Sequence, residues 1–589
     1  MRIAIQGRAE CVIMVQPGST PAERHAADEL ASHLQQITGG TFAVRECAGE
    51  VPEAAIVIGP GPVARALFPD VALESFGGEQ LVMRTSGGRL LLAGGRPRGT
   101  LYAVYRFLQE QCGVRWWTPW ASHIARNPDL AIGELSVEQT PAFELRDPFW
   151  FSTRDSDWSA RNGCTGQLPE LNEAHGGKIV YKGFVHTFFS LVPPEEYFPQ
   201  HPEWFSLIDG ERRHPEGEKH RSQLCTTNPA LRDFLVERVR QWLLESPAAN
   251  IISISQDDTW GDWTGACCCP ECTAVDNREG SHAGSMIELL NYIAGKLGPE
   301  FPHVAFDTLA YRYTRTAPKT VRPLSNVIVR LCSIECNFAA SLEDPSNAAF
   351  AQDIREWGKL SNRLYIWDYT TNFAHYVLPH PNWFSLGPNL RFFHQHHVQG
   401  MFEQGAYQSH GAEMAELRAW MLAQMLWNPE QDDSALIDTF LDGYYGQSAG
   451  RLIRQYLDLL HKAAKGVFMD CYAGPDSPYL RFETLSRAEQ LWQAAEAATA
   501  NDPDRRWRVR QGELAVRYAL LANWDALQRE CRDAGAAWPL PSREVVAEEW
   551  LAAVTGPGPH GWTPMTHVNE GALTPQAFVA SLAGDPATL

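Results

Sequence analysis

The chain of 589 residues is too long for one hydrophobic core and calls for about three domains on size alone. Hydrophobic residues make up 44% and charged residues 20%, the balance of an ordinary globular protein rather than a disordered one. The net charge of -20 argues against nucleic-acid and anionic-membrane partners, both of which need a basic surface.

The opening stretch, MRIAIQGRAECVIMVQPGST, carries no long apolar core behind a basic start. No secretory signal is read there, and a cytoplasmic location is expected. Later apolar runs have strand length, short of the roughly 20 residues a membrane helix needs. The 13 cysteines are odd in number and mostly scattered singly through apolar segments, which fits reduced, buried thiols better than a disulfide framework.

Residues 1–135 read as a small α/β domain. Thr20 is a helix N-cap, Pro21 fits the first turn and Glu23 completes a capping box. Leu30, Leu34 and Ile37 recur on one face, and Gly39 ends the helix. Strands are expected at 55–59 and 90–94, with a second helix from about Gly99. The glycines of 94–99 lack the order and context of a dinucleotide fingerprint, so no nucleotide cofactor is expected.

From 141 to 470, short apolar runs alternate with helical patterns, and polar residues follow the runs. The strand candidates are 143–146 before Asp147, 183–185 before His186, and 250–255 before Gln256, Asp257 and Asp258. They continue with 304–310 before Tyr311, 327–331 ahead of Glu335, 364–367 before Asp368 and Tyr369, and 398–402 before Glu403. Seven such runs suit a (β/α)8 TIM-type barrel, whose C-terminal strand ends form the active-site face. Carboxylates and aromatics gathered at those ends point to an enzyme. Several tryptophans sit beside them, at Trp260, Trp263 and Trp367, where ring faces suit sugars, although most of the 20 tryptophans belong to the core. Residues 471–589 read as mainly helical. Ala, Glu and Gln enrich 486–500, Leu514, Tyr518 and Leu521 share a helical face, and the final stretch reads as loop.

Glycosidic cleavage commonly needs a proton donor and a second group that stabilises the oxocarbenium charge. Asp257, Asp258, Glu335, Asp368 and Glu403 are available, and each taken alone could equally be a structural ion-pair partner. Asp257 and Asp258 are adjacent in an extended segment, so only one should face a pocket. Cys267, Cys268, Cys269 and Cys272 raise a metal question. The pair Cys269 and Cys272 with Cys267 falls one ligand short of a zinc site, His282 could complete it, and packed thiols remain the simpler reading. No GxSxG elbow or P-loop is present.

SISQDD (253–258), CCCPEC (267–272), LAYRYT (309–314), VRLCSIEC (329–336) and IWDYTTNF (366–373) resemble the family called domain of unknown function 4838, also placed in glycoside hydrolase family 163. HPEWFSLIDGER (201–212), LWNPEQD (426–432) and FLDGYYG (440–446) extend the resemblance. Residues 25–40 and 99–117 are similar to the domain preceding the barrels of β-hexosaminidases and α-glucuronidases. The resemblance implies retaining endo-β-N-acetylglucosaminidase activity in which the substrate's 2-acetamido group is the nucleophile. Asp258 would orient that group, and a partly buried Glu335 would serve as acid and then base. The family usually has Asn where this chain has Asp257, which leaves open which Asp acts. By position, His186, Tyr311, Trp367, Asp368, Tyr369 and Glu403 would surround a bound carbohydrate.

Two other readings compete. An α-glucuronidase would use Arg146, Arg161 or Arg312 against a sugar carboxylate, and a non-catalytic carbohydrate-binding protein would bind without turnover. The sequence sets no oligomeric state.

Overall fold

The computed structural model describes residues 1–47, 50–215, 222–259, 265–558 and 562–582, so Trp260 and Trp263 lie outside the described residues. It divides into two compact units, one of residues 1–178, 370–387 and 404–589, the other of 179–369 and 388–403. No helix among the described residues is long and apolar enough to cross a membrane. All thirteen cysteines are free, and only Cys268 is exposed.

In the first unit the helix Pro21–Thr38 starts where its caps dictate. The Glu23 amide donates to Thr20 Oγ1 at 3.2 Å, the Thr20 amide donates to Glu23 Oε2 at 2.8 Å, and Gly39 ends the helix at φ 86°. Val12–Val15, Ala55–Ile58 and Arg89–Gly94 pair in parallel within a six-stranded mixed sheet, and Leu81–Ser86 joins Arg89–Gly94 antiparallel. Met14, Val57, Leu91 and Ala93 bury one face of the sheet together with Phe68.

The helix Gly99–Glu110 follows closely on this sheet. A Cβ on Gly94 would stand 2.4 Å from both the Gln80 carbonyl oxygen and the Gly99 carbonyl carbon. These glycines therefore allow strand and helix to meet, a packing role.

The strand expected at 143–146 forms at Leu145–Phe149. Arg146 and Asp147 look like a polar strand end, yet both are buried and bonded, so the strand runs through them. Arg146 pairs bidentately with Glu79 at 2.8 and 2.9 Å, and Asp147 Oδ2 accepts the Gln167 amide. The C-terminal part is helical, with Phe482–Ala498, Pro503–Ala522, Trp524–Asp533 and Arg543–Thr555. Leu514, Tyr518 and Leu521 are buried on one of these helices. One further helix, Pro575–Ser581, forms in a stretch that reads as loop, capped by Thr574 and anchored by buried Phe578.

The second unit carries a curled sheet with strand order β1 (Tyr181–Lys182), β2 (Ile251–Ser253), β3 (Ala305–Ala310), β4 (Val327–Cys332), β5 (Leu364–Tyr369) and β6 (Val398–Gln404). Pairing is parallel from β1 through β5. Strand β1 ends at Lys182, just ahead of the expected 183–185, because Gly183 turns the chain at φ 61°. A Cβ there would also meet the Trp242 ring at 2.8 Å. Alternation gives each strand two different faces. Ile252 and Phe306 pack with helices Pro229–Glu245 and Ala283–Leu297 through Leu235, Val239, Leu290 and Ile293. On the other face Asp307 and Arg330 form a fully buried ion pair at 2.9 Å. The guanidinium of Arg330 lies 4.3 Å from the Phe184 ring centroid and 5.3 Å from that of Trp367.

Candidate active site

Three segments at the C-terminal ends of β1, β2 and β3 are laced together by hydrogen bonds. Thr187 acts as a substitute strand neighbour for β2: its Oγ1 donates to the Ser253 carbonyl at 3.0 Å and accepts the Ser255 amide at 2.9 Å. Gln256 is buried and joins β2 to the turn after β3. Its Nε2 donates to the Tyr311 carbonyl at 2.9 Å, and its Oε1 accepts from Thr314 Oγ1 at 2.8 Å. The local sequence thus spends its polar side chains on fixing the strand ends, which is what positions the residues between them.

Asp257 and Asp258 diverge, as adjacent residues of an extended segment should. Asp257 turns into the protein wall. Its Oδ2 accepts the Phe189 amide at 3.0 Å, and its backbone is clamped by Gln223, whose Oε1 accepts the Asp257 amide at 3.0 Å while Nε2 donates to the carbonyl at 2.8 Å. Burial first, and then the neighbouring Asp258 charge, pushes the Asp257 carboxyl up to about 7. Asp258 takes the other direction. Its Oδ1 accepts the Tyr311 hydroxyl at 3.1 Å and the Thr259 amide at 2.9 Å.

Tyr311 in turn accepts from Arg312 Nε at 2.9 Å. Arg312 holds a left-handed backbone at φ 52°, a strained conformation for a side chain of its size. Burial works against its charge, but the Tyr311 hydroxyl and the carboxylates of Asp258 and Glu335 more than offset this and raise its pKa. One guanidinium therefore feels both Asp258 and Glu335.

Glu335 follows β4 in a turn closed by the Cys336 amide on the Ser333 carbonyl at 2.9 Å. Its side chain is 40% exposed, more open than the other carboxylates considered, and its Oε2 pairs with Arg315 Nη1 at 2.5 Å. Arg315 itself is anchored, with Nε 2.7 Å from Asp353 and its carbonyl accepting the Trp357 indole N–H at 2.7 Å. The exposure has a plain cause, because a turn after the strand carries Glu335 past the end of the sheet.

His186 also sits at φ 53°. Its Nδ1 lies 2.8 Å from the Gln256 carbonyl, which assigns the proton to that nitrogen and leaves Nε2 as an acceptor. Burial, with a smaller effect of Arg330, lowers its pKa against the opposing pull of Gln256 and Asp258. Its ring centroid is 6.2 Å from that of Tyr311. His186, Asp258, Tyr311 and Arg312 thus form one cluster, and the Glu335 charge acts on Arg312.

The remaining residues singled out in the sequence divide by strand face. Trp367 packs on Phe402 at 4.7 Å and lies near-parallel to Tyr369 at 6.2 Å. Asp368 and Glu403 take the opposite parity on β5 and β6 and form a second, buried pair. Asp368 Oδ1 accepts from Ser333 Oγ and from the Tyr369 amide, and burial pushes its carboxyl up to about 6. Among the described residues neither oxygen of Glu403 has a hydrogen-bond partner, and burial, then the Asp368 charge, raises its pKa well above the usual range. Of the three arginines considered for a sugar carboxylate, Arg146 is taken by Glu79 and Arg161 by Glu29 at 2.8 Å. Only Arg312 stands in the cluster.

The cysteines assemble differently from the sequence expectation. Cys267, Cys269 and Cys272 gather with Cys225, which no local motif marks, whereas Cys268 is exposed. His282 pairs with Asp276 at 2.7 Å and is not in the group. Arg315, Gln223 and Cys225 were the residues sequence reasoning missed. Each lies far along the chain from its partner, and no spacing rule reports such a meeting.

No curated protein matches the sequence. Among solved structures, a family GH115 4-O-methyl-α-glucuronidase with specificity for decorated arabinogalactans is similar at 12% identity and a TM-score of 0.56, over 93% of this chain and 76% of that one. CpGH84B follows at 11% identity and a TM-score of 0.48, over 99% of this chain and 97% of that one. A GH138 enzyme targeting pectin rhamnogalacturonan II has 11% identity and a TM-score of 0.41, over 92% of this chain and 73% of that one. These similar structures are glycoside hydrolases, and the likeness bears on the fold. The family model described as a domain of unknown function, DUF4838, matches residues 116–458, more than half of the chain, and the chain belongs to that family.

Proposed function

We propose that the protein is a glycoside hydrolase that cleaves a β-linked N-acetylglucosaminide in a glycan with retention, assisted by the substrate's own acetamido group. The observation that carries the reading is Asp258 held by the Tyr311 hydroxyl beyond β2, with Glu335 paired to Arg315 in the turn after β4. In the first step the acetamido carbonyl oxygen attacks C1, the glycosidic bond breaks, and Glu335 gives its proton to the leaving oxygen. Asp258 accepts the acetamido N–H and stabilises the positive charge of the oxazolinium-like intermediate. In the second step Glu335, now a carboxylate, takes a proton from the water that attacks C1, and the bond from C1 to the acetamido oxygen breaks to restore the acetamido group.

Asp257 is assigned a positioning part, because its carboxyl is committed to the Phe189 amide. Neutral His186 offers Nε2 to a sugar hydroxyl, and Trp367 and Tyr369 offer ring faces. Residues 1–135 and 471–589 are read as domains flanking a catalytic barrel at 141–470. The α-glucuronidase reading keeps one supporting feature, the guanidinium groups of Arg312 and Arg315 beside the carboxylates.

The test is hydrolysis of aryl β-N-acetylglucosaminide, β-glucoside and α-glucuronide, with an N-glycan in the panel for an endo-acting enzyme. Wild type, Asp258→Asn and Glu335→Gln are compared. Cleavage confined to N-acetyl substrates and lost in both variants supports the mechanism. Cleavage of the glucoside or glucuronide would overturn it, and sugar binding without turnover, unchanged in Glu335→Gln, would favour a binding protein.

A further inference from the structure

Outside the carboxylate cluster, four cysteine sulfurs converge. Cys225 precedes the helix Pro229–Glu245, Cys267 and Cys269 precede the helix Pro270–Glu279, and Cys272 lies in the first turn of the latter. All four are buried, and their sulfurs lie within 4.8 Å of one another. Cys225 Sγ is 3.7 Å from Cys269 Sγ and 3.9 Å from Cys272 Sγ. A disulfide needs about 2.05 Å, so these contacts are not bonds in waiting at their present spacing. Four thiolates at about 2.3 Å from a tetrahedral Zn2+ would stand about 3.8 Å apart, which matches the distances from Cys225 to Cys269 and Cys272.

The donors around the sulfurs give a second, independent indication. The Leu207 amide points at Cys267 Sγ at 3.3 Å, Arg212 Nη1 at the same sulfur at 3.5 Å, and the Cys272 amide at Cys269 Sγ at 3.5 Å. Two amides and a guanidinium aimed at sulfur make the sulfurs acceptors, the role of thiolates rather than thiols. Cys269 is moreover the N-cap of its helix, where the helix dipole favours negative charge. Two of the four sulfurs receive such donors, and four thiolates buried this close together would repel one another unless a cation sat between them. Tetrahedral sulfur ligation selects zinc or iron, and zinc is the ion of closed structural sites.

We propose that Cys225, Cys267, Cys269 and Cys272 bind one structural Zn2+ ion, with Arg212 offsetting part of the excess negative charge. The consequence reaches the carboxylate cluster. Two residues before Cys225, Gln223 clamps the backbone of Asp257 with both amide atoms, while Cys267 and its neighbours follow the same strand end. The ion therefore fastens the segment that carries the clamp to the segment that follows the residue being clamped. Gln223, Cys225 and the ion are positioning elements, and none touches the reacting atoms.

The experiment is elemental analysis of the full-length protein purified from zinc-supplemented medium without chelator. One zinc per chain is expected, retained in Cys268→Ser and lost in Cys225→Ser and Cys272→Ser. Because the latter variants can fail to fold, wild type is also exchanged with Co2+. A sulfur-to-cobalt charge-transfer band with the visible absorption of a tetrahedral tetrathiolate site is expected. Titration with a mercurial should release the zinc as four cysteines react. Wild-type protein far below one zinc per chain with freely reacting thiols, a disulfide within the cluster, stoichiometric iron, or an octahedral cobalt spectrum would each overturn the assignment.

Discussion

Asp257→Asn isolates the cost of keeping a carboxyl in the wall of the site. In the folded protein this group holds its proton up to about 7, whereas an unfolded Asp releases it near 3.9. Between those values the folded state binds more protons than the unfolded one, so the associated stability is full below about pH 4 and is lost as pH rises to about 7. A difference of about 3 units corresponds to about 4 kcal/mol. Asn keeps an oxygen for the Phe189 amide and cannot ionise, so it should remove this pH dependence. Any fixed cost of its amide N–H group cancels when the same pair of proteins is compared across pH. The assay is a urea series with hydrogen exchange read in the peptide spanning residues 251–259, which reports the second unit rather than the whole chain. Wild type should lose about 2–4 kcal/mol more than Asp257→Asn between pH 4.5 and pH 8. Parallel loss in the two proteins would refute the assignment of Asp257 to a buried, proton-holding position. Turnover should survive Asp257→Asn and disappear in Asp258→Asn, since only the latter group faces the cluster.

Tyr311→Phe removes the hydroxyl that binds Asp258 and Arg312, and steady-state kinetics should show kcat lowered about tenfold, the equivalent of about 1.4 kcal/mol, with KM little changed. Arg315→Gln removes the ion pair that holds the Glu335 carboxylate in place, and steady-state kinetics should show kcat lowered with KM little changed. Glu403→Gln replaces a carboxyl that burial keeps protonated, so the thermal midpoint should be nearly unchanged at pH 5 and higher than wild type at alkaline pH. Thr20→Ala deletes one arm of the capping box and should cost about 1 kcal/mol, read as earlier exchange in the first helix, with activity unaffected.

Much of the fold was legible because it is written in local rules. Thr20, Glu23 and Gly39 announce a helix through bonds made within three or four residues, and the strands Ile251–Ser253, Ala305–Ala310 and Leu364–Tyr369 announce themselves by hydrophobic pattern. Where a pattern depended on a partner, the reading slipped. Arg146 and Asp147 look like a strand end until Glu79 and the Gln167 amide are seen to bury them. The divergence of Asp257 and Asp258 was also foreseeable from alternation. Which of the two turned inward was not, since that rests on the Phe189 amide and the Gln223 clamp.

The sequence by itself determined the class of architecture, the helix boundaries set by caps and the set of strand-end carboxylates, all properties of neighbours along the chain. Tertiary structure decided which of those groups meet. It placed Arg312 against the Tyr311 hydroxyl and Arg315 against Glu335, put Asp368 and Glu403 on the opposite strand face from Trp367, and brought Cys225 to three cysteines more than forty residues away. Those encounters depend on burial and long-range packing, whose free energy is shared among many side chains, so no single spacing in the sequence encodes them.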